Sequence, residues 1–281
     1  MLTPGDGRHE AMGGAGRRPG WWSVLLVLGV LLTGCVSRDV DSAEPTTALP
    51  RYYDVAQLSA AISERLGMYR TARLSVRGEI AGQPAATQVS GDGVIRLAGD
   101  GVSAQFTQSV RRPGAPPVQT EFLVVPGQVY QRHAESGPPW VLVDAGSADS
   151  ADRRRAILAD AIADSGDPTA NLVRYADATL VADAADDVVD GIAAVRYELV
   201  VDLARAAVLE PDPALRVQLE QQVRAGFTRI TSTLWVDAAN RPVGSHTRQE
   251  LPGVGTLTLT SRYRDWGRPV QIAAPPPGRT R

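Results

Sequence analysis

Two hydrophobic periods alternate along the chain. Val55, Leu58, Ile62 and Leu66 recur at helical spacing and predict a helix over Asp54 to Met68. Asp54 stands at a capping position, Gln57 three residues on completes a capping-box-like pair, and Gly67 marks a stop. The period then falls to two. Leu74, Val76 and Ile80 alternate with Ser75, Arg77 and Glu79, and Val102, Ala104 and Phe106 alternate with polar neighbours. Val89 to Leu97 is a further strand, in which Gly91-Asp92-Gly93 predicts a bend or bulge. Glu121 to Val125 and Gln128 to Arg132 flank the tight turn Pro126-Gly127, and Trp140 to Val143 is a short strand. Successive strands joined by turns predict an antiparallel meander with one buried face.

The period changes again over Ser150 to Ser165, where Ile157, Leu158, Ala161 and Ile162 make a helical stripe. Asp167-Pro168 opens a short helix whose Leu172 and Val173 are expected to pack inward. Strands resume at Thr179 to Ala182 and Ala193 to Leu203. In the second, Val195, Tyr197, Leu199, Val201 and Leu203 share one parity. Asp212-Pro213 opens another helix, with Leu215, Leu219 and Val223 on one face and Gly226 after it. Thr228 to Val236, Arg241 to Leu251 and Thr256 to Tyr263 close the pattern. This order predicts an α+β fold, an antiparallel sheet with helices segregated to one side.

The N-terminal stretch has a different character. Arg8, Arg17 and Arg18 precede an apolar run from Trp21 to Leu32, and Leu32-Thr33-Gly34-Cys35 follows. A basic start, an apolar middle and small residues at a cut site predict a secretory signal peptide over 1–34. The run is about a dozen residues, whereas a spanning helix needs roughly 20. Leu-x-Gly-Cys resembles the bacterial lipobox, whose thiol is alkylated by diacylglycerol before cleavage. Cys35, the single cysteine of the chain, is therefore the expected lipidation site. Residues 35–50 read as a flexible tether, 51–272 as the folded domain and 273–281 as a Pro-rich disordered tail.

Composition narrows the function. The formal charge is −2 over 281 residues, which leaves no basic footprint for nucleic acid. With Cys35 acylated, no thiol remains for a disulfide, a zinc site or cysteine catalysis. There is no Gly-x-Ser-x-Gly elbow, no phosphate-cradling loop and no dinucleotide fingerprint. His133 and His246 are the two histidines beyond the leader, and no nucleophile motif supports a triad around them. Asp183, Asp186, Asp187 and Asp190 lack EF-hand spacing and read as a solvated turn between strands. Arg153-Arg154-Arg155 near a helix start reads as an exposed face, and Arg111-Arg112 lies in a Pro-rich loop. No enzyme, cofactor or metal site is expected.

The last strands carry a resemblance. Thr233-Leu-Trp-Val-Asp237, Arg241-Pro-Val-Gly-Ser, Thr256-Leu-Thr-Leu-Thr-Ser-Arg-Tyr-Arg-Asp-Trp-Gly267 and Val270-Gln-Ile272 look like the C-terminus of the LppX/LprAFG family of mycobacterial lipoproteins. Val189-Asp-Gly-Ile192 ahead of the Tyr197 strand, the lipobox, the first helix and the early meander fit the same order. The resemblance implies a curved antiparallel half-barrel covered on one face by helices. It also implies a cavity that holds the acyl chains of a lipid or lipoglycan in transit from the inner membrane toward the outer envelope.

The expected lining is Val76, Ile80, Val102, Ala104, Phe106, Tyr197, Leu199, Leu234, Val236, Leu257 and Leu259, with Ile157, Leu158 and Ile162 closing it. Ordinary core is the alternative for each. Expected partners are the acylated ligand, the membrane through Cys35 and an inner-membrane lipid transporter. The expected location is the cell membrane, facing the periplasm-like space or the exterior. A non-transporting envelope interaction protein with a filled core is the competing reading.

Overall fold

The computed structural model describes residues 48–81, 86–98, 101–133, 139–143, 167–251, 255–276 and 280. The chain divides into two units, residues 1–46 and 47–281, and all described residues belong to the second. Their elements are helix α1 (Val55–Met68), strands β1 (Thr71–Ala81), β2 (Thr87–Ala98), β3 (Gly101–Arg111), β4 (Val118–Val125), β5 (Gln128–His133) and β6 (Val141–Val143), and helix α2 (Ala170–Arg174) with a 3-10 turn at Ala176–Ala178. Strands β7 (Thr179–Val189) and β8 (Ile192–Asp202), helices α3 (Leu203–Leu209) and α4 (Pro213–Arg224), and strands β9 (Arg229–Asp237), β10 (Pro242–Leu251) and β11 (Gly255–Arg264) follow.

All eleven strands form one open antiparallel sheet in the order β6-β5-β4-β3-β2-β1-β11-β10-β9-β8-β7. It is two meanders, β1 to β6 and β7 to β11, joined where the first strand pairs with the last. This is the expected α+β architecture. Local chemistry sets the hairpins. Pro126-Gly127 links β4 and β5, with Gly127 at φ 73 as a type II turn requires. Asp190 and Gly191 both take positive φ, 52 and 81, in the turn between β7 and β8, which matches the twist of the strands it joins.

Helix α1 forms as its stripe predicts. The Asp54 carboxylate accepts the Gln57 backbone N–H at 2.9 Å. Val55, Leu58, Ile62 and Leu66 bury their side chains against Val195, Tyr197, Leu199, Leu234 and Val236 of β8 and β9. A second cluster joins Ala72, Leu74, Ile95, Ala104, Phe106, Phe122 and Tyr263. Trp266 packs on both clusters, stacks on Tyr263 and donates its indole N–H to the Pro242 carbonyl at 2.7 Å. Val270 and Ile272 join Leu123, Tyr130 and Trp140 in a third cluster. In the tail expected to be disordered, Thr280 makes a parallel bridge with Trp140.

Several expectations need correction. Gly91-Asp92-Gly93 is no bulge, because β2 keeps continuous register with both neighbours. The glycines serve close approach. A Cβ on Gly91 would lie 2.3 Å from the Phe106 ring, and one on Gly93 would lie 2.3 Å from the Gln105 carbonyl oxygen. Strand β7 does not stop at Ala182. It runs to Val189 and takes Asp183, Asp186 and Asp187 with it, so three of the four acidic residues are strand and not turn. Strand β8 ends at Asp202, whose carboxylate accepts the Arg205 N–H and caps α3, a helix the strand-like alternation through Leu203 conceals. Val173 is exposed, and Leu172 alone of that pair packs inward. In α4 no residue is fully buried. Leu215, Leu219 and Val223 are half-buried, and the helix packs against α3.

Candidate functional site

Residues directly opposed in an antiparallel ladder project from the same face. One row across β8, β9, β10, β11, β1 and β2 is Tyr197, Leu234, Ser245, Ser261, Val76 and Gly91. The next row is Leu199, Ser232, Thr247, Leu259, Gly78 and Val89, and beyond it lie Gln249, Leu257 and Ile80. This is the face that receives α1. The opposite face carries Arg73, Arg77, Glu79, Arg111, His246, Arg248, Arg262 and Arg264.

The apolar face is not uniform. At one end α1 seals it, and Leu58, Ile62 and Tyr197 are 0% exposed. Toward the other end the strands outrun the described helices. There a cavity of about 350 Å³ remains, lined by Leu172, Leu199, Leu234, Leu257 and Leu259, by Ser232, Ser245, Thr247, Gln249, Ser261 and Tyr263, and by Asp167 and Pro168 at α2. That volume sits at the lower end of the roughly 300–1,000 Å³ range of ligand pockets. Two larger hollows, about 470 and 500 Å³, lie on the polar face. Their walls include Arg77, Glu79 and Arg111, or Arg73, Asp92, Arg262 and Arg264, so charged side chains border both.

Leu199, Leu234, Leu257 and Leu259, all named in the sequence reading, border this one cavity. Val76, Ala104, Phe106, Tyr197 and Val236 are buried in the packed clusters and do not line the cavity. Ile80 and Val102 are half-buried on the same face and outside it. Cys35, Arg153 to Arg155, Ile157, Leu158 and Ile162 lie outside the described residues.

Sequence reasoning missed the polar part of the wall. On β10 the inward positions are Ser245, Thr247 and Gln249 and the outward ones are His246, Arg248 and Glu250, so neither parity is apolar. A strand of the sheet interior with no apolar face is the signal that was present. Within this wall burial pushes the Tyr263 hydroxyl to a raised pKa. Its hydrogen bond with Ser245 opposes that rise, the nearby Asp167 carboxylate adds to it, and a hydrogen bond with Ser261 again opposes it. The Asp167 carboxylate also accepts the Thr169 N–H and hydroxyl, at 2.8 and 2.7 Å, and so fixes the start of α2 at the cavity rim.

The acidic residues of β7 and its turn each have a separate partner. Asp183 meets Arg196 at 3.2 Å, Asp186 meets Arg51 at 2.6 Å, Asp187 accepts the Trp235 indole N–H at 2.8 Å, and Asp190 meets Arg264 at 2.7 Å. The Trp235 bond holds the Asp187 carboxyl below its ordinary value, and Arg264 does the same for Asp190. Among the described residues no group of three His, Cys, Asp or Glu side chains is placed to hold a metal ion. His133 and His246 project from opposite faces, with five strands between their own. Among the described residues no helix is long and apolar enough to cross a membrane, a statement that does not bear on strands.

No protein-family model matches the chain, and no curated protein matches it by sequence. Among solved structures it is similar to LprF from Mycobacterium bovis, with a TM-score of 0.44 and 19% identity over 79% of this chain and 96% of that one. It is similar to the Mycobacterium tuberculosis lipoprotein LppX, with a TM-score of 0.43 and 13% identity over 78% of this chain and 99% of that one. A putative outer membrane lipoprotein-sorting protein domain from Vibrio parahaemolyticus gives a TM-score of 0.31 and 7% identity over 78% and 95% of the two chains.

Proposed function

We propose that this chain is an envelope lipoprotein that binds acylated lipid on the apolar face of its sheet and carries it from the inner membrane toward the outer envelope. The observation that carries the reading is the end of that face that the described residues leave open. Leu172, Leu199, Leu234, Leu257 and Leu259 converge on a cavity where a folded core would place side chains of its own. Each methylene buried there contributes about 0.8 kcal/mol, so one acyl chain is enough for firm retention. Anchoring through Cys35 belongs to the same proposal and rests on the lipobox.

A second reading, an interaction protein of the same fold, has one observation of its own. Val208 is 81% and Val217 47% exposed on the α3–α4 hairpin, an apolar surface that the sheet does not use. Native mass spectrometry of the full chain, purified from an envelope-bearing host, separates the two. The carrier reading expects a bound mass that resolves into acylated lipid on denaturation, together with acyl mass on Cys35. A clean apo mass that takes up no added lipid overturns it in favour of the interaction protein.

A further inference from the structure

The cavity is not a slot for hydrocarbon alone. Ser232 on β9 and Thr247 on β10 are directly opposed, Ser245 and Ser261 are directly opposed one row away, and Gln249 follows Thr247 on the same face. These five polar side chains form one contiguous strip across β9, β10 and β11, with Leu199, Leu234, Leu257 and Leu259 around it. Ser245 and Ser261 hydrogen-bond Tyr263. Ser232, Thr247 and Gln249 have no side-chain partner among the described residues, and none of them is fully buried.

A cavity lined by leucine stays dry and accepts alkyl chains. A hydroxyl or amide facing the same space demands water or a ligand that hydrogen-bonds it, because leaving it unpaired against hydrocarbon is costly. The strip therefore has a ligand chemistry of its own. Its free groups are two hydroxyl donors and one amide, set beside the aliphatic walls. The complementary ligand has carbonyl acceptors within a few bonds of its alkyl chains, which is the chemistry of acyl chains esterified to a polyol.

Resting on the carrier reading, we propose that the Ser232 and Thr247 hydroxyls bind the ester linkage region of the lipid and that the leucines receive its chains. The site then selects ester-linked lipids over ether-linked ones of equal length, since an ether lacks the carbonyl acceptor.

The test compares two probes on the full chain, 1,2-dioleoylglycerol and 1,2-di-O-oleylglycerol, with affinity read by titration in native mass spectrometry. The expected preference for the diester is about ten-fold, the scale of one or two neutral hydrogen bonds. The double variant Ser232→Ala, Thr247→Val is expected to bind both probes equally, at the diether level. Neither position partners Tyr263, so the buried hydroxyl cluster stays intact. Thr247→Ser keeps the hydroxyl and is expected to retain the preference, which separates lost recognition from lost folding. Equal binding of the two probes by the unmodified chain overturns the inference and leaves the carrier reading standing, as does a preference that survives the double variant. Binding of neither probe, nor of any lipid extracted from the host envelope, overturns both.

Discussion

The two ends of one sheet face behave differently, although the same strands build both. Where α1 lies, β8 and β9 present Val195, Tyr197, Leu234 and Val236, and the helix answers with Leu58 and Ile62, each 0% exposed. Further along, β9, β10 and β11 present Ser232, Thr247, Gln249, Leu257 and Leu259, all half-buried, around a cavity of about 350 Å³. The first end is a closed core that stabilises the domain. The second is packed less tightly by the described residues: Leu257 and Leu259 stay half-buried, and the Ser232 and Thr247 hydroxyls have no side-chain partner among them.

Substitution is the way to break this contrast. Leu58→Ala at the closed end is expected to cost about 2–5 kcal/mol, because a buried leucine leaves both a transfer loss and a void. Leu257→Ala at the open end is expected to cost less than about 1 kcal/mol, since that side chain already borders empty space. Urea denaturation midpoints of the two variants decide it, and equal costs would make the open end ordinary core.

Between these extremes stands the polar latch that holds the α2 region to α3. The Tyr175 hydroxyl donates a short hydrogen bond to the buried Glu210 carboxylate, whose other oxygen accepts the Asp212 N–H at 3.0 Å. The Tyr175 bond holds the Glu210 carboxyl below its ordinary value of 4.5, while burial and this bond push Tyr175 up to about 12. A lowered folded-state carboxyl stabilises at neutral pH. Its contribution fades as pH falls through the ordinary value and then through the lower folded one. Tyr175→Phe is expected to remove about 1 kcal/mol at pH 7 and less at pH 3.5. Denaturation midpoints at the two pH values check this, and an undiminished loss at pH 3.5 would detach the latch from Glu210. In order of expected effect, Leu58→Ala comes first, Tyr175→Phe next and Leu257→Ala last.

Much of this fold was legible because its signals are local. The stripe of α1, the Pro126-Gly127 and Asp190-Gly191 turns and the cap at Asp212 each work over a few residues. What escaped depends on distant partners. The acidic run of β7 reads as a turn in isolation, yet β7 is an edge strand, where charged side chains discourage further pairing. Helix α3 hides because Val195 to Leu203 keeps the strand period up to the residue that Asp202 caps. Gly91 and Gly93 resemble a bulge until the Phe106 ring is placed against them from the next strand.

The cavity is the least legible part. Leu199 and Tyr197 follow the same alternation and both pack in the α1 cluster, yet of the two Leu199 alone also borders the cavity. The polar wall was visible in β10, whose two parities are both polar, but its meaning needed the register that sets Thr247 beside Ser232 and Leu259.

The most direct measurement is photolabelling of the full chain with a diacylglycerol that carries a diazirine in one acyl chain, mapped by peptide mass spectrometry. The account predicts label on the inward positions of β9 to β11, around Leu234, Leu257 and Leu259, and competition by unlabelled lipid. Label confined to the α3–α4 surface at Val208 and Val217, or label that excess lipid does not displace, would contradict it.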